Sequence, residues 1–132
     1  MFADRDDPAA EMVGRWNEVF RALSAEPRRQ IVVALMDAPP DRELSLPEAA
    51  NPSFLLADPE ELTVTLVHTH LPVLEKAGFV EWHRGPLRVG RGPAFEEVEV
   101  VMASLQDNAE AIPPQLVQGC QRLEEQQREQ LS

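Results

Sequence analysis

Apolar residues recur along the first part of the chain at helical spacing. Val13, Trp16, Phe20 and Leu23 step by 3, 4 and 3, which places them on one face of a helix over about residues 9–24. Glu26-Pro27 breaks that helix. Pro27 suits the first turn of a new one, where its missing N–H costs nothing. Ile31, Val32, Leu35 and Met36 form the inward side of this second helix, which runs to about Asp37 and stops before Pro39-Pro40. Ser45-Leu46-Pro47-Glu48 has the order of a capping box and predicts a short helix over about 46–50. The stretch from Asn51 to Glu61 carries Pro52 and Pro59 and reads as a long connection, with Phe54-Leu55-Leu56 as an apolar plug on the core.

Thr63 stands where it can cap the next helix, over about 64–77, and Gly78 can end it. Leu66, His70, Val73 and Ala77 share its inner face, flanked by Leu71 and Leu74. Pro72 lies inside and is expected to kink the helix, because it removes the bond to the carbonyl of His68. Residues 79–84 read as a strand, Gly85-Pro86 as a turn and 87–90 as the return strand, closed by Gly90-Arg91-Gly92-Pro93. Phe95, Val98, Met102 and Leu105 predict a helix over about 93–106, and Pro113-Pro114 opens a last one. Its stripe of Leu116, Cys120, Leu123 and Leu131 is thin, and residues 124–130 are polar nearly all round. Such a helix packs on a partner or frays. No internal repeat is visible.

Composition changes this picture in three ways. The 132 residues suit one domain, since domains typically hold ~100–150. The longest apolar run, Ile31 to Met36, is far shorter than the ~20 residues a membrane span needs. The single cysteine, Cys120, excludes an internal disulfide and a cysteine-based zinc site. With no basic–apolar–small leader at the start, a reducing cytoplasmic location is expected.

The formal net charge of −11 argues at first against a nucleic-acid binder, because such domains are usually basic. The acid is unevenly spread, however. Residues 1–61 carry a net −7 and residues 95–132 a net −6, while residues 62–94 carry +2 and all three histidines. A local strip of neutral-to-basic surface can stand on an acidic body. Eleven of the twelve basic residues are arginine and Lys76 is the one lysine. Abundant acid with so little lysine resembles proteins of salt-loving archaea, where molar salt cuts the Debye length to ~3 Å and screens acid–acid repulsion.

Chemistry beyond binding finds little support. His68 and His70 are two apart on a helix, about 200° around it, so they diverge and chelate one metal poorly. No Gly-rich phosphate loop, Ser-His-Asp order or zinc-protease spacing appears. No catalytic residue, metal site or cofactor is expected, and the chain does not read as an enzyme.

The order helix, helix, short helix, longer helix, β-hairpin, helix, helix is that of a winged helix-turn-helix. The run His70-Leu71-Pro72-Val73-Leu74-Glu75-Lys76-Ala77-Gly78-Phe79-Val80 resembles the His-Leu-x-x-Leu-x-x-Ala-Gly-Leu-Val end of the recognition helix in ArsR-like and MarR-like transcription regulators. Leu23-Ser24-Ala25-Glu26-Pro27-Arg28-Arg29-Gln30-Ile31 is similar to the entry of their first core helix, and residues 45–50 to the helix before the turn. The likeness covers about residues 20–92. It is greatest to the ArsR-like winged helices of haloarchaea, which share the proline after His-Leu and a lengthened turn.

The resemblance implies a mostly α fold with a small β-hairpin, a winged helix-turn-helix with extra N- and C-terminal helices. Residues 1–24 would form a helix for dimerisation or core packing, 25–92 the winged helix-turn-helix, and 93–132 C-terminal helices for dimerisation. It implies a sequence-specific regulator that binds double-stranded DNA as a homodimer. The helix over 63–77 would enter the major groove and the wing over 79–92 would touch backbone or minor groove. Thr63, Thr65, His68 and Thr69 fall at base- and phosphate-contacting positions; Arg84, Arg88 and Arg91 sit in and beside the wing; Arg28 could meet a flanking phosphate. His70, in the inner register, reads as a core histidine. The alternative is a winged-helix adaptor that binds protein and not DNA. A wing and recognition helix forming a positive ridge would favour the first, and acids folded over them the second.

Overall fold

The computed structural model describes residues 8–50 and 58–131. Helix α1, Pro8–Leu23, leads into α2, Glu26–Asp37, which carries Pro27 in its first turn as expected. A two-residue strand β1, Leu44–Ser45, is followed by a 3-10 turn, Glu48–Ala50. Helix α3, Pro59–Thr65, passes without a break through a π-helical stretch, Leu66–His70, into α4, Leu71–Lys76. Strands β2, Val80–His83, and β3, Arg88–Arg91, form a hairpin, and α5, Phe95–Asp107, returns across the body. A 3-10 turn at Ala109–Ala111 and the short α6, Pro114–Val117, lead to α7, Gln121–Leu131. The chain is mostly helical with one small antiparallel sheet, ordered β1-β3-β2.

Two expectations about element ends are corrected. Ser45 does not cap a helix; it lies in β1, paired with Arg88 of β3, and Leu44 pairs with Val89. The long helix does not start under a Thr63 cap. It begins at Pro59, and Asp58 caps it by accepting from the Glu60 N–H at 3.1 Å. Thr63 lies inside the helix, its hydroxyl donating to the Pro59 carbonyl at 2.7 Å. The Phe54-Leu55-Leu56 plug falls outside the described residues.

Pro72 acts through the π stretch. It has no N–H to donate and its ring crowds the carbonyl of residue 68. The helix absorbs this by widening one turn, and the Leu71 N–H bonds to the Leu66 carbonyl five residues back. The widened turn also shifts the buried register. Leu62, Leu66 and His70 are buried at four-residue steps, then Leu71, Leu74 and Ala77 at three-residue steps. Leu71 and Leu74 are therefore fully buried, and Val73, expected on the inner face, moves to the flank.

The helix ends in a Schellman motif. Gly78, at φ +82°, donates to the Glu75 carbonyl at 2.9 Å, and Phe79 to the Leu74 carbonyl at 3.0 Å. The chain then drops straight into β2, and Phe79, like Ile31, Leu35, Leu66, Leu71 and Leu74, is wholly buried in the core. Gly92 closes the far end of the hairpin on this joint. A Cβ there would sit 2.5 Å from the Gly78 oxygen, so only glycine lets the two backbones meet.

The terminal helix packs on its own protomer. Cys120 and Leu123 of the thin stripe are buried in the core together with Val117, while Leu116 and Leu131 are exposed. Polar side chains hold the rest. Gln127 donates to the Ala109 and Ile112 carbonyls, both at 3.0 Å, and Gln130 to the Gln106 carbonyl at 2.9 Å. Arg122 pairs with Asp37 through both carboxylate oxygens, and Glu26 accepts from the Gln121 N–H at 2.9 Å. These bonds satisfy carbonyls and N–H groups that helix ends leave open. Burial raises the Cys120 thiol above its ordinary range.

Candidate functional site

The strict four-residue spacing before Pro72 gives the long helix a wide outer face. Glu60, Glu61, Val64, Thr65, His68, Thr69 and Pro72 are all exposed on it. Its neighbour is the hairpin. Between them lies an open cleft of about 300 Å³, lined by Thr63, Val64, Val67, His68, Arg84, Gly85 and Leu87. Thr63, His68 and Arg84, named separately from the sequence, thus meet at one place. Thr65 and Thr69 lie beside it on the same face, and the Thr65 hydroxyl is turned back to the Glu61 carbonyl at 3.0 Å.

The sheet sorts the arginines. Residues directly across an antiparallel ladder share a face and neighbours along a strand alternate. Arg88 stands opposite His83 and Ser45 on the outer side. Arg91 stands opposite Val80 on the inner side, with Val89. Arg84, at the hairpin turn, is exposed, and neither it nor Arg88 pairs with an acid among the described residues.

Two of the expected DNA contacts are instead internal. The Arg91 guanidinium donates to the Leu35 carbonyl at 2.8 Å and the Ala38 carbonyl at 3.2 Å, pairs with Glu99 at 3.3 Å, and stacks on the Phe95 ring at 4.8 Å. It closes the C-terminal end of α2, whose open carbonyls attract a cation. Arg28 is buried, 7% exposed. It donates to the Arg21 and Ala22 carbonyls and the Ser24 hydroxyl at the end of α1, and its Nη1 lies 2.8 Å from His70 Nδ1. Arginine only donates, so Nδ1 is the acceptor and the ring proton is on Nε2. Burial, and then the nearby Arg28 charge, hold His70 below its ordinary range. Burial, then Arg29 and Arg21, lower Arg28. His70 is thus a core histidine that locks the long helix to α1 and α2.

The electrostatics are mixed. Asp58, Glu60 and Glu61 crowd the first turn of the long helix, and all three are exposed. Glu43 meets His83 at 2.7 Å beside the sheet. The basic strip counted along the sequence reduces on this face to Arg84, Arg88 and, at the far end of the helix, Lys76. The sequence leaves these acids in the long connection; the local sign of their place in the helix is Asp58-Pro59, a cap followed by a first-turn proline.

A second face lies on α1 and α5. Met12, Val13, Trp16, Phe20 and Val100 are exposed, Trp16 by 56% and Phe20 by 60%. The two rings stack with centroids 5.8 Å apart. Arg15 connects this face to the first. It pairs with Glu97 of α5 at 2.7 Å, donates to the Ala77 carbonyl at the end of α4 at 2.9 Å, and lies 5.5 Å over the Phe79 ring.

Among the described residues, no group of three or more His, Cys, Asp and Glu side chains is gathered to hold a metal ion, and no helix is long and apolar enough to cross a membrane. His68 is exposed and His70 buried, so the two rings do not converge. No protein-family model, curated protein or solved structure matches this chain.

Proposed function

We propose that the protein is a cytoplasmic, ArsR-like regulator of winged helix-turn-helix type that binds duplex DNA as a homodimer. The observation that carries this reading is the exposed outer face of the Pro59–Lys76 rod, set beside a hairpin whose Arg84 and Arg88 pair with no acid among the described residues. A rod of this width enters a major groove of about 12 Å, and the hairpin arginines then reach phosphate or minor groove. Thr65, His68 and Thr69 supply groups toward base edges, and Thr63 lines the cleft beside them. Arg28 and Arg91 position the helix and sheet and are not contacts.

Pairing uses the α1 and α5 face. Its exposed aromatic and aliphatic side chains form a contiguous apolar surface of the kind that marks interaction sites. In the C-terminal stripe Cys120 and Leu123 are buried against the body, while Leu116 and Leu131 are exposed, so it offers a second copy less apolar surface than α1 does. Two copies would set two rods about 34–36 Å apart, reading a palindromic operator.

A second reading, a protein-binding adaptor on the same fold, is favoured by one observation: the three acids at the head of the long helix repel phosphate. In molar salt, with a Debye length of ~3 Å, that repulsion is short-ranged. Selection from a pool of random duplexes decides between them. The DNA reading expects enrichment of an inverted repeat; a pool that emerges unenriched at every salt concentration leaves the adaptor.

A further inference from the structure

We propose that the Pro59–Lys76 rod recognises thymine through its C5-methyl group, by apolar contact with Val64 and the methyl of Thr65. This rests on the DNA reading above and deepens it by naming the base feature the rod selects.

Between Pro59 and Glu75 there is no arginine, lysine, asparagine or glutamine. Those side chains make the bidentate bonds by which proteins read guanine and adenine in the major groove. The remaining base-edge feature in that groove that needs no polar partner is the thymine methyl. The rod is built for it. Val64 is 59% exposed and is the one large, strongly exposed apolar side chain on the helix–hairpin face among the described residues. It opens onto the cleft beside Val67 and Leu87, so the cleft has an apolar wall, with Arg84 and His68 at its rim. Thr65 is exposed next to it, and its hydroxyl is already bonded to the Glu61 carbonyl at 3.0 Å. What Thr65 offers a partner is therefore its methyl.

Uracil differs from thymine only by the missing methyl, so it isolates the contact. The wild-type protein is titrated with its selected duplex and with duplexes carrying uracil at one thymine at a time. At one or two positions in each half-site, affinity is expected to fall about 4-fold, the worth of one methyl-sized group removed from water. Val64→Ala and Thr65→Ser, both exposed and hydrogen-bond neutral, should keep the circular dichroism spectrum and bind thymine and uracil duplexes alike at those positions. Equal wild-type affinity for every uracil duplex overturns this inference while leaving DNA binding in place. A wild-type protein that enriches no duplex, and is retained only on a protein partner, overturns the DNA reading and this inference with it.

Discussion

The two exposed faces of the molecule differ in kind. The α1 face is aromatic and aliphatic, with Trp16 and Phe20 stacked and open to solvent. The rod and hairpin present threonines, a histidine, one valine, a cluster of acids and two arginines that pair with no acid among the described residues. Apolar area is stabilised by another apolar surface, whereas scattered hydroxyls, methyls and guanidinium groups suit a groove with polar walls. On the reading proposed above, one face would meet a second copy and the other DNA. Two arginines join them. Arg15 ties α1 and α5 to the end of the rod, and Arg28 ties the end of α1 to His70 in the middle of it. Whatever sets the spacing of two α1 helices thereby sets the spacing of two rods.

The sharpest way to break this contrast is to charge the α1 face. Trp16→Glu/Phe20→Glu places carboxylates on side chains that are already exposed, so the protomer should fold. Sedimentation should show the mass fall from two chains to one. Duplex affinity should drop about 100-fold, because two linked half-site contacts become one. A variant that stays dimeric would move the pairing surface elsewhere.

A smaller effect tests the joint. His70 is neutral in the folded protein, held below its ordinary value near 6.5 by burial and by Arg28. In the unfolded chain that restraint is gone. Below about pH 6.5 the unfolded chain takes up a proton that the folded chain resists, so stability present above that pH is lost as pH falls. Melting temperatures from pH 7.5 to 5.5 should decline more steeply for wild type than for His70→Gln, which keeps an acceptor for Arg28. Parallel curves would show that the pair does not titrate within the fold.

Much of this architecture was legible in the chain. The 3-4-3 steps of α1 and α5, the break at Glu26-Pro27 and the exit through Gly78 into a strand all follow from local pattern. The helix–hairpin segment brings Thr63, His68 and Arg84 to one cleft. Other features had no local signal. A strand of two residues, Leu44–Ser45, is too short to show alternation. The π turn needs the whole core to show that Leu71 and Leu74 pack better inward than Val73. Arg28 and Arg91 look like surface cations in sequence, and only tertiary structure shows the helix ends they close. For Arg91 the parity with Val89, two residues before it on β3, is a usable sign. From the sequence alone the C-terminal stripe reads as a pairing seam, and nothing local marks the roles of Gln127 and Gln130 in α7. They are the groups that fasten it to Ala109, Ile112 and Gln106.

The central claim, that the rod and hairpin grip DNA, is tested most directly by the salt dependence of duplex binding in wild type and in Arg84→Ala/Arg88→Ala. On this reading, two arginines in each protomer of a dimer would make four phosphate contacts. The account predicts a wild-type preference for the selected duplex, and in the variant a log–log salt slope shallower by about 3 to 4 with the dimer mass unchanged. The same weak, sequence-blind binding in both proteins, with one common slope, would contradict it.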